Sequence, residues 1–258
     1  MACLPPDRPD DCWVWFEGIG DPLRTTPITP PNRPYKHRVP PTRTRRGRFV
    51  NSDLLTEHLA TYRYGAFTLT DAVRPGPTLP VLPREGYRVR IYRDRAAELR
   101  LPMLSAAVSA ERLFDCFIDL LKPLGSLVHV VLETSHNRDA DDHLDFRRTH
   151  IDRSVFASHC CEFEDLLLND GCTGVAVLST KGPLEVQFDE HKLLHVYAPD
   201  LTRFRKVLRR YGVRKNQDLQ LITDGEHLHH TTDDHEDTFK QFCTRVGVAE
   251  FDRVLSDE

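Results

Sequence analysis

The chain has 258 residues, 40% of them hydrophobic, and a formal net charge of −4. A chain of this length buries roughly three quarters of its unfolded surface, so it folds without stabilising crosslinks. Its mild charge argues against a constitutive nucleic-acid or membrane binder. No run approaches the roughly 18 apolar residues of a membrane span. The seven cysteines contain no Cys-x-x-Cys pair, which indicates reduced thiols and predicts a cytoplasmic protein.

The first 50 residues differ from the rest of the chain. They contain ten of its 18 prolines, and proline continues neither a helix nor a central strand. Residues 32–48 carry seven Lys or Arg side chains and no acidic one. We therefore predict an irregular, basic, proline-rich arm over residues 1–50. The aromatic-rich residues 13–16 should anchor it on the body, because aromatic side chains bury large areas.

The body divides into two predicted units, residues 51–170 and residues 171–258. Hydrophobic periodicity assigns strands and helices within each unit. In the first unit the predicted strands cover residues 66–73, 87–93, 97–101 and 128–133. One predicted helix of this unit begins at Ser52, and two others cover residues 109–122 and 153–168. In the second unit the predicted strands cover residues 174–179, 184–188, 193–197 and 219–223, and the predicted helices cover residues 200–211 and 234–246.

The two units resemble each other in pattern. Residues 87–125 and 174–212 align without a gap, and in both segments apolar strands precede a helix that ends near a glycine. The identical pairs are Glu98/Glu185, Phe117/Phe204, Leu121/Leu208 and Gly125/Gly212. A duplicated unit stacks its copies around one core. We predict an α+β fold of two related strand-strand-helix-strand-helix units with mostly antiparallel sheet, preceded by the arm.

The densest polar segment is residues 224–236, which contain four histidines and five carboxylates. Imidazole and carboxylate are ligands that zinc, iron and manganese favour. The candidate metal ligands are His227, His229, His230 and His235. In an extended segment, His227 and His229 point to the same side. The alternative is a solvated loop in which Asp233 or Asp234 caps the last helix, and this alternative predicts an open cluster without tightly bound metal.

A second candidate for chemistry surrounds one predicted hairpin. Glu185 is followed by Asp189, Glu190, His191 and His195. A Glu/His pair can act as general acid and base, because the protein environment can bring either pKa near neutrality. The structural alternative is an outward-facing strand glutamate followed by a polar turn, which is the commoner arrangement.

Basic residues concentrate at the helix of the second unit. They are Arg203, Arg205, Lys206, Arg209, Arg210, Arg214 and Lys215. Together with Arg43–Arg48 they can neutralise phosphates, but base stacking also needs exposed aromatic side chains. Phe204 and Tyr211 fall on the predicted core face of the helix. This placement favours a solvated helix face, or a surface that pairs with acidic groups.

The sequence alone does not decide the function. The expected role is a non-catalytic binding or protein-interaction module without a cofactor, whose partner is a protein or a small ligand. One alternative is a metal-dependent hydrolase that uses a divalent metal at the His/Asp cluster near the C-terminus. The other is an accessory nucleic-acid binder that works through the basic arm and helix, although the composition makes nucleic acid the less expected partner.

Overall fold

The computed structural model describes residues 57–94, 99–136 and 144–248, together with the backbone of residues 3–4 and 11–16. The strands in these ranges are β1 (Cys3–Leu4), β2 (Asp11–Phe16), β3 (Arg63–Tyr64), β4 (Phe67–Thr68), β5 (Val73–Pro75), β6 (Gly86–Asp94), β7 (Leu99–Ala107), β8 (Leu127–Thr134), β9 (Leu144–Asp152), β10 (Thr173–Ser179), β11 (Glu185–Phe188), β12 (Leu194–Tyr197) and β13 (His227–Thr232). The helices are α1 (Ala110–Leu121), α2 (Arg153–Glu162), α3 (Glu164–Asn169), α4 (Thr202–Arg210) and α5 (Asp233–Val246). No helix in these ranges is long and apolar enough to cross a membrane.

Seven strands form the main sheet, in the order β6-β7-β12-β11-β10-β8-β9. Every neighbouring pair is antiparallel, which confirms the prediction of an α+β fold with mostly antiparallel sheet. The strands β10, β11 and β12 of residues 171–258 lie between β7 and β8 of residues 51–170. The two predicted units therefore share one sheet.

The helices cover one face of the main sheet. Successive strand residues point to opposite faces, and Leu104, Val130 and Val177 point into the large hydrophobic core. Each of the helices α1 to α5 adds at least one buried side chain to that core, namely Phe117, Phe156, Leu166, Phe204 and Phe242. The ring centroids of Phe117 on α1 and Phe188 on β11 are 5.1 Å apart. This face of the sheet is therefore the apolar core of the molecule.

The opposite face of the main sheet carries buried polar residues. Ser105, His195 and Gln187 are in register across β7, β12 and β11, and all three are buried. Glu185, on the same face of β11, is buried as well. Burial of polar groups costs free energy unless they are hydrogen-bonded. These residues therefore need hydrogen-bond partners on this face of the sheet.

A second sheet of four strands has the order β1-β2-β13-β5. Its strand β13 pairs antiparallel with β2 on one side and with β5 on the other. The prediction of an irregular arm is therefore wrong for Asp11–Phe16. That stretch contains no proline and is rich in aromatic and β-branched residues, which favour strands. The rest of residues 1–50, apart from Cys3–Leu4, lies outside the described residues, as do the side chains expected to anchor the arm.

The two segments that align in sequence differ in element order. Two strands, β6 and β7, precede α1, whereas three strands, β10 to β12, precede α4. The strand predicted over residues 219–223 is wrong, because Ile222–Asp224 form a 3-10 turn. The next strand, β13, belongs to the four-stranded sheet, whereas β8 after α1 belongs to the main sheet. Glu98 lies outside the described residues, and the superposition of the two segments stays a prediction.

Candidate metal centre

Three histidines come together where the two sheets meet. His191 lies in the turn between β11 and β12 of the main sheet, and His227 and His229 lie on β13 of the four-stranded sheet. The ring centroid of His191 is 4.9 Å from that of His227 and 4.7 Å from that of His229, and the last two rings are 5.2 Å apart. One potential ligand atom from each residue lies within 4.8 Å of the others.

Local structure explains why these three side chains meet. Alternation along β13 directs His227 and His229 to one side of the strand, as the sequence predicted. His191 is held by a tight turn in which Asp189 accepts a hydrogen bond from the Leu193 N–H at 2.8 Å. Lys192 takes a positive φ of 60° in the same turn, which few non-glycine residues adopt. The turn therefore presents His191 to β13 in a fixed position.

Hydrogen bonds fix the tautomer of each ring. Nδ1 of His227 donates to the Gly225 carbonyl at 2.8 Å, and Nδ1 of His229 donates to the Gly171 carbonyl at 2.5 Å. Nδ1 of His191 is 3.0 Å from the Asp189 carboxylate. Carbonyl and carboxylate oxygens accept hydrogen bonds, so Nδ1 carries a proton in each ring, and in a neutral ring Nε2 then carries the lone pair. Metal-binding histidines are held in this way by their second nitrogen.

Two of the three rings are in the charge state that binds a cation. Burial lowers the pKa of His227 to about 4, with help from the charge of His191, and burial drives the pKa of His229 well below its usual value. Both rings are therefore neutral at pH 7, the form that binds metal. Burial also opposes the charged form of His191, but the Asp189 carboxylate outweighs it and raises the pKa of His191.

The dimensions allow a zinc ion after a small adjustment. Zinc binds imidazole nitrogen at about 2.0–2.1 Å, so a tetrahedral ion holds its ligand atoms roughly 3.4 Å apart. The potential ligand atoms of the three rings lie up to 4.8 Å apart. Side-chain movements of about an ångström would bring them to the distance that a tetrahedral ion requires. A water-sized cavity of about 20 Å³ also borders His191, and its other walls are mostly apolar.

A buried hydrogen-bond chain leads from this cluster onto the polar face of the main sheet. Oδ2 of Asp189 is shared between His191 Nδ1, at 3.0 Å, and His195 Nε2, at 3.2 Å. Nδ1 of His195 is in turn 2.9 Å from Ser105 Oγ. The sequence singled out His195 with Glu185, but the carboxylate of Glu185 accepts from Gln187 at 2.5 Å. Asp189 is therefore the carboxylate that orients both histidines.

A second polar group contains His136, Asp170 and Cys172. Nε2 of His136 lies 3.1 Å from Asp170 Oδ2, and Thr173 Oγ1 also donates to that carboxylate. Burial, followed by the charge of Asp170, raises the pKa of the Cys172 thiol to about 12. This group forms a hydrogen-bond network that holds the loop before β10.

Two of the four histidines expected as ligands lie elsewhere. His230 falls on the other side of β13. His235 belongs to the start of α5, where its N–H donates to Thr232 Oγ1 at 3.2 Å and its Nδ1 accepts from the Thr232 N–H at 3.3 Å. The helix cap expected at Asp233 or Asp234 is therefore wrong. Thr232 caps the helix because it is the last extended residue before it.

The expectation of an open, solvated cluster is wrong for His227 and His229, whereas His230 and His235 are partly exposed. His227 and His229 are only 3% and 0% exposed, because β13 is an inner strand of its sheet and the turn bearing His191 lies against it. The sequence missed His191 as a ligand. The signal available was its position between Asp189 and His195, where a carboxylate two residues away can orient the ring.

Comparisons of the chain with family models, with curated proteins and with solved structures return no match. The function is therefore argued from the geometry and chemistry of the site.

Proposed function

We propose that the protein binds one zinc ion, or a related divalent cation, through His191, His227 and His229, and that it is a metal-dependent hydrolase. The observation that carries this proposal is the matching arrangement of the three rings. Each Nδ1 lies within hydrogen-bond distance of a carbonyl or carboxylate oxygen, and one potential ligand atom of each ring lies within 4.8 Å of the others.

Three protein ligands is the number that catalytic zinc sites use, because the fourth position then holds water or substrate. Zinc in such a site lowers the pKa of bound water towards 7 and polarises a carbonyl oxygen. The surrounding residues orient the three rings. Asp189 orients His191 and adds a negative charge beside it, and the carbonyls of Gly171 and Gly225 orient His229 and His227.

Metal content tests the binding half of the proposal. Purified protein should contain about one equivalent of zinc, as measured by elemental mass spectrometry. The double variant His227→Ala/His229→Ala should contain almost none. The matched control is His129→Ala/His150→Ala, which removes another adjacent pair of rings, 4.6 Å apart on β8 and β9. The control should keep its zinc. Equal zinc in both variants, or none in the wild type, contradicts the proposal and favours the metal-free interaction module.

Hydrolysis tests the catalytic half. The zinc-loaded protein should cleave 4-nitrophenyl acetate faster than the same protein after chelation, and re-addition of zinc should restore the rate. The His129→Ala/His150→Ala control should behave as the wild type does. If zinc binds stoichiometrically and the rates of the loaded and stripped proteins are equal, the metal has a structural role and the hydrolase assignment fails.

A further inference from the structure

A basic groove lies between α4 and the segment that follows it. Its volume is about 640 Å³, within the range of ligand sites. The cationic residues that line it are Arg205, Lys206, Arg209, Arg214 and Lys215, and no acidic residue does. All five side chains are exposed. The sequence analysis identified these residues as basic residues in and after one helix. The structure places Arg214 and Lys215 on the wall of the groove that faces this helix.

Both walls of the groove are fixed by the fold. On one side, Phe204 and Leu208 bury the inner face of α4. Gly212 then reverses the chain with a φ of +79°, a conformation that favours glycine. On the other side, the Arg214 carbonyl accepts from the Tyr87 N–H at 3.0 Å, and the Asn216 N–H donates to the Tyr87 carbonyl at 2.8 Å. The backbone positions from which the cationic side chains extend are thus fixed by the fold.

The charge of the groove is not balanced within the described residues. None of the five cationic side chains makes an ion pair with a carboxylate of that part of the chain, whereas the neighbouring Arg210 pairs with Asp119 at 3.3 Å. Asp200, before the helix, accepts hydrogen bonds from Thr202, and its charge also acts on Arg205 without forming an ion pair with it. Five like charges around one concave surface repel one another, so a multivalent anion gains free energy by entering it.

We infer that this groove binds a linear run of phosphate groups, as in a nucleic-acid backbone or an inorganic polyphosphate. The five cationic side chains of the lining can contact about four phosphates of such a run, because each phosphate carries one negative charge. Tyr87, the aromatic residue in the lining, is buried. Among the described residues, the groove lining therefore has no exposed aromatic side chain on which a base could stack. We expect it to contact phosphates without discriminating between base sequences. This inference is independent of the metal centre.

Fluorescence anisotropy with the full chain and a labelled twelve-nucleotide oligo-dT tests the inference. Contact with about four phosphates predicts a slope near −3 for log K against log salt, and therefore about 50-fold weaker binding at 200 mM than at 50 mM salt. The variant Arg205→Gln/Arg209→Gln should bind at least about tenfold more weakly at 50 mM salt, with a slope closer to −1.5. Residues 1–50 are unchanged in this variant, so their basic side chains cannot cause the difference.

The matched control is Arg203→Gln/Arg210→Gln, which removes the same charge from the same helix outside the groove lining. It should bind nearly as the wild type does. Unlabelled polyphosphate and oligo-dT, compared as competitors at equal phosphate concentration, identify the source of the phosphates. The inference is overturned if neither ligand binds, if the groove variant binds as well as the wild type, or if the control variant loses as much affinity as the groove variant.

Discussion

Asp189 is the residue on which the candidate metal centre depends. Its Oδ2 atom contacts both His191 and His195, and its Oδ1 atom accepts from the Leu193 N–H. Burial opposes the charge of this carboxylate, but the two histidines hold its pKa well below the usual range. The adjacent Lys192 is also buried, and its Nζ donates to the Thr173 carbonyl at 2.9 Å. The turn thus balances buried charges of opposite sign, as buried charges require.

Glu133 on β8 offers a test of the electrostatics of the polar face. Burial, followed by the negative charges of Asp145, Glu190 and nearby acids, raises the pKa of Glu133 to about 8. The folded state therefore binds a proton that the unfolded state releases near pH 4.5. The contribution of this proton to the free energy of unfolding is fully present below pH 4.5 and is lost as the pH rises through 8.

Glu133→Gln should consequently gain stability over the wild type with rising pH. Each pKa unit corresponds to 1.36 kcal/mol, so the difference in unfolding free energy should grow by about 2–4 kcal/mol between pH 5 and pH 9. Urea melts at both pH values measure it. Glu111→Gln is the matched control, and its difference from the wild type should not change between pH 5 and pH 9. Hydrogen bonds from Ser109 and Thr68 lower the pKa of Glu111 to about 2, so this carboxylate is ionised in both the folded and the unfolded state over that range. A pH-independent difference for Glu133→Gln would mean that this carboxylate is solvated.

At the scale of elements, α1 and α4 are two of the helices that the sequence located closely. The predicted ranges 109–122 and 200–211 differ from the observed ones by no more than two residues at either end. The apolar residues of both helices recur with the helical period, and that face is the one that is buried. Helix residues contact neighbours three or four positions away, so their pattern is visible in the sequence without knowledge of the fold.

Elements that depend on distant contacts were less predictable. Leu219, Leu221 and Ile222 alternate and cluster like strand residues, but they fill a small separate core with Phe67 and Leu193 and pair with no strand of the described chain. The helix predicted over residues 153–168 is two helices. The spacing and type of apolar residues indicate which side chains are buried. Whether a segment pairs with a strand, or a helix continues without a break, depends on the neighbouring elements in the folded protein.

The buried helix faces predict large losses of stability on truncation. Phe117 and Phe204 are 0% and 1% exposed, so Phe117→Ala and Phe204→Ala should each lower the free energy of unfolding by about 3–5 kcal/mol. The control is Val155→Ala on α2, which is 47% exposed and should change stability by less than about 1 kcal/mol. Denaturant melts compare the three. A loss below about 1 kcal/mol for either phenylalanine variant would place that helix face at the surface.

At the scale of the whole molecule, the candidate metal centre lies on the seam between the two sheets. The Gly171 N–H donates to the His230 carbonyl at 2.7 Å, and the Gly171 carbonyl accepts from His229. A Cβ atom at Gly171 would lie 2.4 Å from the Ala72 carbonyl oxygen, so only glycine permits this close approach. The seam joins residues far apart in sequence. The sequence could therefore indicate His227 and His229 by alternation, but it could not show that His191 meets them.

A metal on this seam should stabilise the fold as a unit, because its ligands come from both sheets. A ligand that binds only the folded state adds about 4 kcal/mol at a concentration 1,000 times its Kd. The 13 histidines and seven cysteines of the unfolded chain also bind zinc, which reduces the gain to about 2–4 kcal/mol. We therefore expect the Tm of the zinc-loaded protein to exceed that of the chelated protein by about 5–15 °C. Magnesium, which prefers oxygen ligands, should give no such shift.

Calorimetry on the wild type and the His227→Ala/His229→Ala variant completes this test. In the variant the zinc-dependent shift should disappear, because a single remaining ring cannot connect the sheets. In the His129→Ala/His150→Ala control the shift should persist. Two results contradict the idea of a metal that joins the sheets: equal Tm values for loaded and stripped wild type, and an undiminished shift in the double variant. The second result would show that zinc acts at other histidines or cysteines of the chain.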